Sequence, residues 1–116
     1  MIMQLRGTYR EGGDLLAYAE LNAPDFPPED QMDCPRFFER LSRCYGILLE
    51  NETNEVALQW LRLSKQEIAK AKTLFLERKN DDALGKLTCA REYLVNAMRR
   101  KSMKPKFLTD DTGFSE

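Results

Sequence analysis

The chain has 116 residues, 42% of them hydrophobic and 32% charged, a net charge of −1 and no histidine. That length suits one domain able to bury a real core, and the missing histidine removes the commonest catalytic base and metal ligand together. Beneath the near-neutral total the charge is sorted: residues 1–55 carry 5 basic against 11 acidic groups (net −6), residues 56–109 carry 13 against 5 (+8), and residues 110–116 add −3. Such segregation speaks of partners more than of fold.

The first 22 residues allow two readings. Asp14-Leu15-Leu16-Ala17-Tyr18-Ala19-Glu20-Leu21 suits a capped two-turn helix, whereas Ile2–Tyr9 and Leu15–Leu21 could pair as a hairpin turning at Gly12-Gly13. Ala, Leu and Glu are poor strand residues, which favours the helix. Ala23 to Gln31, with Pro24, Pro27 and Pro28, reads as an extended linker.

Pro35 to Glu50 is expected to be helical, with Asp33 as cap and Pro35 in the first turn, where the missing N–H costs nothing. Phe37, Phe38, Leu41, Cys44, Tyr45, Leu48 and Leu49 form its apolar face, and Gly46 weakens it by up to ~1 kcal/mol unless a neighbour packs close.

Val56 to about Lys101 reads as an antiparallel helical hairpin. Ala57, Leu61, Ser64, Ile68, Ala71 and Phe75 recur at three- and four-residue steps, and Trp60, Leu63 and Leu74 widen that stripe. Asn51, Thr53 or Asn54 can cap the first helix. A turn is expected near Lys79-Asn80-Asp81, with Asn80 or Asp81 capping the second helix. That helix carries Ala83, Leu87, Ala90, Leu94 and Ala97 on one face, with Leu84, Tyr93 and Met98 beside it, and closes on Arg99, Arg100 and Lys101. The connection is short enough to force antiparallel packing.

These elements predict an all-α fold: a three- or four-helix up-and-down bundle built on the antiparallel hairpin. The expected division is an N-terminal segment with a Pro-rich linker (1–31), a helical bundle core (32–103) and an acidic-ended tail (104–116), with Pro105 stopping the last helix.

The hairpin resembles two known families. Glu67-Ile68-Ala69-Lys70-Ala71-Lys72-Thr73-Leu74-Phe75, followed by Asp82-Ala83, Leu87, Ala90 and Ala97, resembles the helical hairpin of HEPN domains. Ala71, Leu74, Ala83, Leu87 and Ala90 are also similar to part of one tetratricopeptide repeat, although only one such unit is present and a solenoid needs about three. Both resemblances lie within residues 60–97, about a third of the chain. The arginine-then-histidine signature of HEPN ribonucleases cannot occur here, so that resemblance implies a member that binds rather than cuts.

No catalytic constellation, cofactor motif or metal site is expected. Asp14 or Glu39 could serve as a buried carboxylate, but lone acids on amphipathic helices are usually solvated. Glu29-Asp30 and Asp110-Asp111 lack calcium-loop spacing, and Gly12-Gly13 lacks the context of a phosphate-binding loop. Cys34, Cys44 and Cys89 form no CxxC; Cys34 lies near a helix start, where a thiol pKa falls, but Asp33 opposes that, while Cys44 and Cys89 read as core.

Two partner chemistries remain. A non-catalytic module would meet an unidentified protein, or a second copy, through its apolar surplus, with Trp60 as a possible anchor. Alternatively Arg91, Arg99, Arg100, Lys101, Lys104 and Lys106 gather at one end of the hairpin as a phosphate-attracting patch for RNA or DNA, with Tyr93 and Phe107 as stacking surfaces. An enzyme using buried carboxylates or Cys34 is a third reading. No apolar run reaches the ~18–20 residues that span a bilayer. Met1–Gly13 also lacks the apolar stretch of a secretory signal, so a cytoplasmic, membrane-free protein is expected.

Overall fold

The computed structural model describes the backbone of residues 2–21 and 33–102 and the side chains of residues 5–21 and 36–102. Four helices follow one another: α1 (Ile2–Leu21), α2 (Asp33–Asn51), α3 (Glu55–Leu76) and α4 (Asn80–Met98). Cross-chain contacts fix their directions. Tyr9 meets Glu52 and Glu20 meets Arg91, so α1 runs antiparallel to both α2 and α4. Short connections make α2–α3 and α3–α4 antiparallel as well. The all-α up-and-down bundle is thus a ring in which the backbone of each helix approaches those of its two neighbours.

The α3–α4 seam is the most extensive. Ala57, Ala71, Ala83, Ala90 and Ala97 are all fully buried, and small side chains at a crossing let two helix axes approach closely. Leu61, Leu87 and Leu94 fill the space between them, with Phe75 at the far end. The expected stripe of α4 is therefore its buried face; of the residues expected beside it, Leu84 and Tyr93 are partly buried and Met98 is exposed. On α3 the stripe holds too, with Ile68 only partly buried.

The first 21 residues correct one expectation. Gly12-Gly13 forms no turn, because α1 runs through both as one continuous helix. A Cβ on Gly12 would lie 3.3 Å from Leu94 Cδ2 and 4.0 Å from Cys44 Cβ. The glycine thus marks where α1 wedges against α4 and α2 rather than where the chain reverses. Tyr9, Leu15, Leu16 and Ala19 belong to the common core, so the bundle begins at Ile2 and not at residue 32. All of the linker read at 23–31 and all of the tail at 104–116 lie outside the described residues.

The hairpin turn comes earlier than expected. Asn54 caps α3, its side chain accepting the Ala57 N–H at 2.9 Å. At the other end Arg78 adopts the left-handed conformation (φ 64°). Lys79 N–H then donates to Leu74 O at 2.8 Å and Arg78 N–H to Phe75 O at 3.0 Å. This paired pattern satisfies the last carbonyls of α3 and redirects the chain at Glu77–Lys79. Asn80 therefore starts α4 instead of capping it, and Lys79 occupies the cap position without a side-chain bond. Asp81 and Asp82 sit in the first turn, where the helix dipole favours them. Arg100 (φ 51°) ends α4 in the same way, with Lys101 N–H on Asn96 O and Arg100 N–H on Ala97 O.

Candidate functional site

Three polar ties join the helices, two of them centred on the buried Glu52 and Ser64 and the third part-buried. The first centres on Glu52, in the α2–α3 connection, whose side chain is 1% exposed. Its Oε1 accepts Tyr9 OH at 2.7 Å; Oε2 accepts the Thr53 and Asn54 N–H groups at 3.1 and 3.0 Å and Arg100 Nη2 at 3.0 Å. Burial pushes the carboxyl pKa up, but the bonds from Tyr9 and Asn54 and the Arg100 charge outweigh it and hold the group below its ordinary value. Burial and the adjoining Glu52 together raise the Tyr9 phenol well above its usual range.

The second tie crosses the middle of the bundle. Ser64 Oγ donates to Ala90 O at 2.7 Å, leaving its lone pairs to accept Tyr45 OH. Tyr45 from α2 thus reaches α3, and α3 reaches α4, through one hydroxyl. The third joins α1 to α4 towards the opposite end: Glu20 Oε2 accepts Thr88 Oγ1 at 2.8 Å and lies 3.4 Å from Arg91 Nη2. Arg91 Nε is 2.7 Å from Glu20 Oε1, but its N–H is not aimed at that oxygen, so this contact is Coulombic rather than an aligned bond. Burial works against ionisation of Glu20, yet Thr88 and Arg91 leave its pKa lowered.

These ties redistribute the residues expected at a basic patch. Arg91 and Arg100 spend their guanidinium groups on Glu20 and Glu52, while Arg99 and Lys101 remain exposed at the end of α4. Lys104, Lys106 and Phe107 lie outside the described residues, as does the Cys34 side chain. Trp60 is no surface anchor: it is buried beside Tyr93, and its Nε1–H donates to Lys101 O at 2.6 Å, pinning the end of α4. Asp14 and Glu39 are exposed, so neither is the buried carboxylate considered above. That carboxylate is Glu52, which no apolar spacing announces because it falls between two helices. Cys44 is buried and its thiol is pushed up to about 11, by burial first and then by Glu11. Among the described residues no three acidic or sulfur ligands gather to hold a metal, and no helix is long and apolar enough to cross a membrane.

The surface feature that sequence reading missed lies on the sparsest seam, α2 against α3. A groove of about 160 Å³ opens there, lined by Phe38, Leu41, Ser42 and Tyr45 from α2 and by Lys65, Ile68, Ala69 and Lys72 from α3. Its floor is apolar. Neither Lys65 nor Lys72 pairs with a carboxylate among the described residues, whereas Lys70 and Lys86 share Glu67 and Lys79 meets Glu77. Exposed Arg62 precedes Lys65 by one turn, and Leu76, 77% exposed, follows Lys72 by another. The α3 edge is therefore a cationic stripe ending in an apolar residue. Comparison with protein-family models, curated proteins and solved structures finds no match to this chain.

Proposed function

We propose that this chain is a small non-catalytic helical interaction module that docks a protein segment in the α2–α3 groove. The observation that carries this reading is an open apolar groove on the sparsest seam, edged by two lysines without carboxylate partners among the described residues. Burial of an apolar segment supplies affinity without a reacting group. Against catalysis stand the full complement of donors on Glu52 and the raised thiol of Cys44. A binding member of the HEPN family is consistent with the same reading, and a cytoplasmic setting suits its reduced, unpaired Cys44 and Cys89. Contact with RNA or DNA is the weaker alternative, because Arg91 and Arg100 are already neutralised by internal carboxylates.

The test is cross-linking capture from the native organism with wild type, Ser42→Arg/Ala69→Arg and Arg99→Glu/Lys101→Glu chains, each checked for helical content. A protein recovered by wild type and Arg99→Glu/Lys101→Glu but lost with Ser42→Arg/Ala69→Arg supports the groove. Heparin retention lost only with Arg99→Glu/Lys101→Glu, with no groove-dependent protein, overturns it in favour of nucleic acid.

A further inference from the structure

The groove has a candidate occupant in the chain itself. The described bundle ends at Ser102, beside Trp60 in α3, since Lys101 O is held by the Trp60 indole, and residues 103–116 follow in the sequence. They read Met103-Lys104-Pro105-Lys106-Phe107-Leu108-Thr109-Asp110-Asp111-Thr112-Gly113-Phe114-Ser115-Glu116: two lysines come first, and the acidic end from Asp110 holds three carboxylates, with Phe107, Leu108 and Phe114 on either side of the Asp110-Asp111 pair. The groove offers the complementary set: an apolar floor of Phe38, Leu41 and Ile68, and the ammonium groups of Lys65 and Lys72 without carboxylate partners in the described bundle.

We infer that this acidic, aromatic tail docks intramolecularly in the α2–α3 groove, Asp110 and Asp111 meeting Lys65 and Lys72 while a flanking phenylalanine covers the floor. The inference rests on the groove being a docking site and names its occupant. Reach permits it. At about 1.5 Å per helical residue, Lys65 and Lys72 lie roughly 8 and 18 Å along α3 from Trp60, and crossing one helix adds about 10 Å. An extended chain covers about 3.3 Å per residue, so Asp110 reaches about 26 Å from Ser102 and Phe114 about 40 Å. Charge gives the direction as well: the tail carries two of its three acids as an adjacent pair, and the α3 edge presents two cations seven positions apart on one face. The docked tail would compete with any external segment of the same chemistry, because both would use one floor and one cationic edge.

Zero-length carbodiimide cross-linking of the full chain, with peptide mapping of the monomer band, tests this. The expected result is linkage of Asp110 or Asp111 to Lys65 and Lys72 at least several-fold above linkage to the exposed Lys70 and Lys79. It should fall when salt is raised, because the ion pairs lie at the surface. The amides of Ile68 and Ala69 should also shift in Asp110→Lys/Asp111→Lys relative to wild type. The same linkages confined to a dimer band overturn intramolecular docking in favour of a second copy. Linkage spread evenly over all lysines, together with unmoved Ile68 and Ala69 amides, overturns it outright. An acidic partner still captured through the groove in that case would leave the proposed function standing, so the two failures are distinguishable.

Discussion

Replacing Glu52 probes the tie that joins α1, the α2–α3 connection and the end of α4. In Glu52→Ala the buried Tyr9 hydroxyl loses its acceptor, and a buried unmet donor costs about 1–3 kcal/mol. The Thr53 and Asn54 N–H groups lie closer to water and lose about 0.5 kcal/mol each. The Arg100 side chain is 47% exposed, so its pair, discounted for solvent screening, adds at most about 1 kcal/mol. Together the loss is about 2–5 kcal/mol, or roughly 8–20 °C in melting temperature for a domain of this size. Glu52→Gln is milder, at about 1–2 kcal/mol, because its carbonyl can accept from Asn54 and Arg100 while its amide turns Tyr9 from donor to acceptor. The carboxyl pKa is lowered by folding, so its stabilisation is fully present above the ordinary value near 4.5 and is lost as pH falls through the folded value. The gap between wild type and Glu52→Gln should therefore close on acidification. Urea unfolding followed by circular dichroism at pH 7 and pH 3 measures both quantities. A Glu52→Ala cost below about 1 kcal/mol at pH 7, or a wild type–Gln gap at pH 3 undiminished from its size at pH 7, would refute the reasoning.

Other outcomes follow from local geometry. A Cβ at Gly46 or Gly85 meets nothing within 4 Å, so Gly46→Ala and Gly85→Ala should each raise stability by about 0.5–1 kcal/mol in the same titration. Gly12→Ala, pressed against Leu94 at 3.3 Å, should gain less or lose stability. Arg78→Gly should stabilise by about 1 kcal/mol by removing a side chain from a left-handed position, whereas Arg100→Gly forfeits the Glu52 pair and should not. Cys44, buried with its thiol raised to about 11, should resist a thiol reagent at pH 7 until the bundle opens; labelling as fast as a free thiol would contradict its burial.

Much of the architecture is legible because burial writes itself into spacing. Leu87, Ala90 and Leu94 recur at helical steps on α4 and all lie in the core, and Asn54 caps α3 as its short polar side chain suggests. What escapes is whatever spacing does not encode. Gly12 signals a turn by composition, yet here the absent side chain serves close packing, a property of Leu94 and Cys44 more than of its own neighbours in the chain. Glu52 stands outside every stripe, and its side-chain partners, Tyr9 and Arg100, come from two distant places in the sequence. The basic cluster reads as a ligand patch because sequence order cannot reveal that Glu20 and Glu52 fold back onto Arg91 and Arg100. The groove is illegible for a related reason: Phe38, Tyr45 and Ile68 look like ordinary core residues until the looseness of one seam is known.

The three polar ties bear on a choice that greasy stripes leave open. Four antiparallel rods can wind clockwise or anticlockwise around a common axis, and both windings bury nearly the same oily surface. Reversing the sense would swap each rod's flanks, carrying Arg91 away from Glu20 and Lys86 away from Glu67. One chirality is thereby favoured over its mirror arrangement, by up to about 1 kcal/mol for each of these partly exposed pairs.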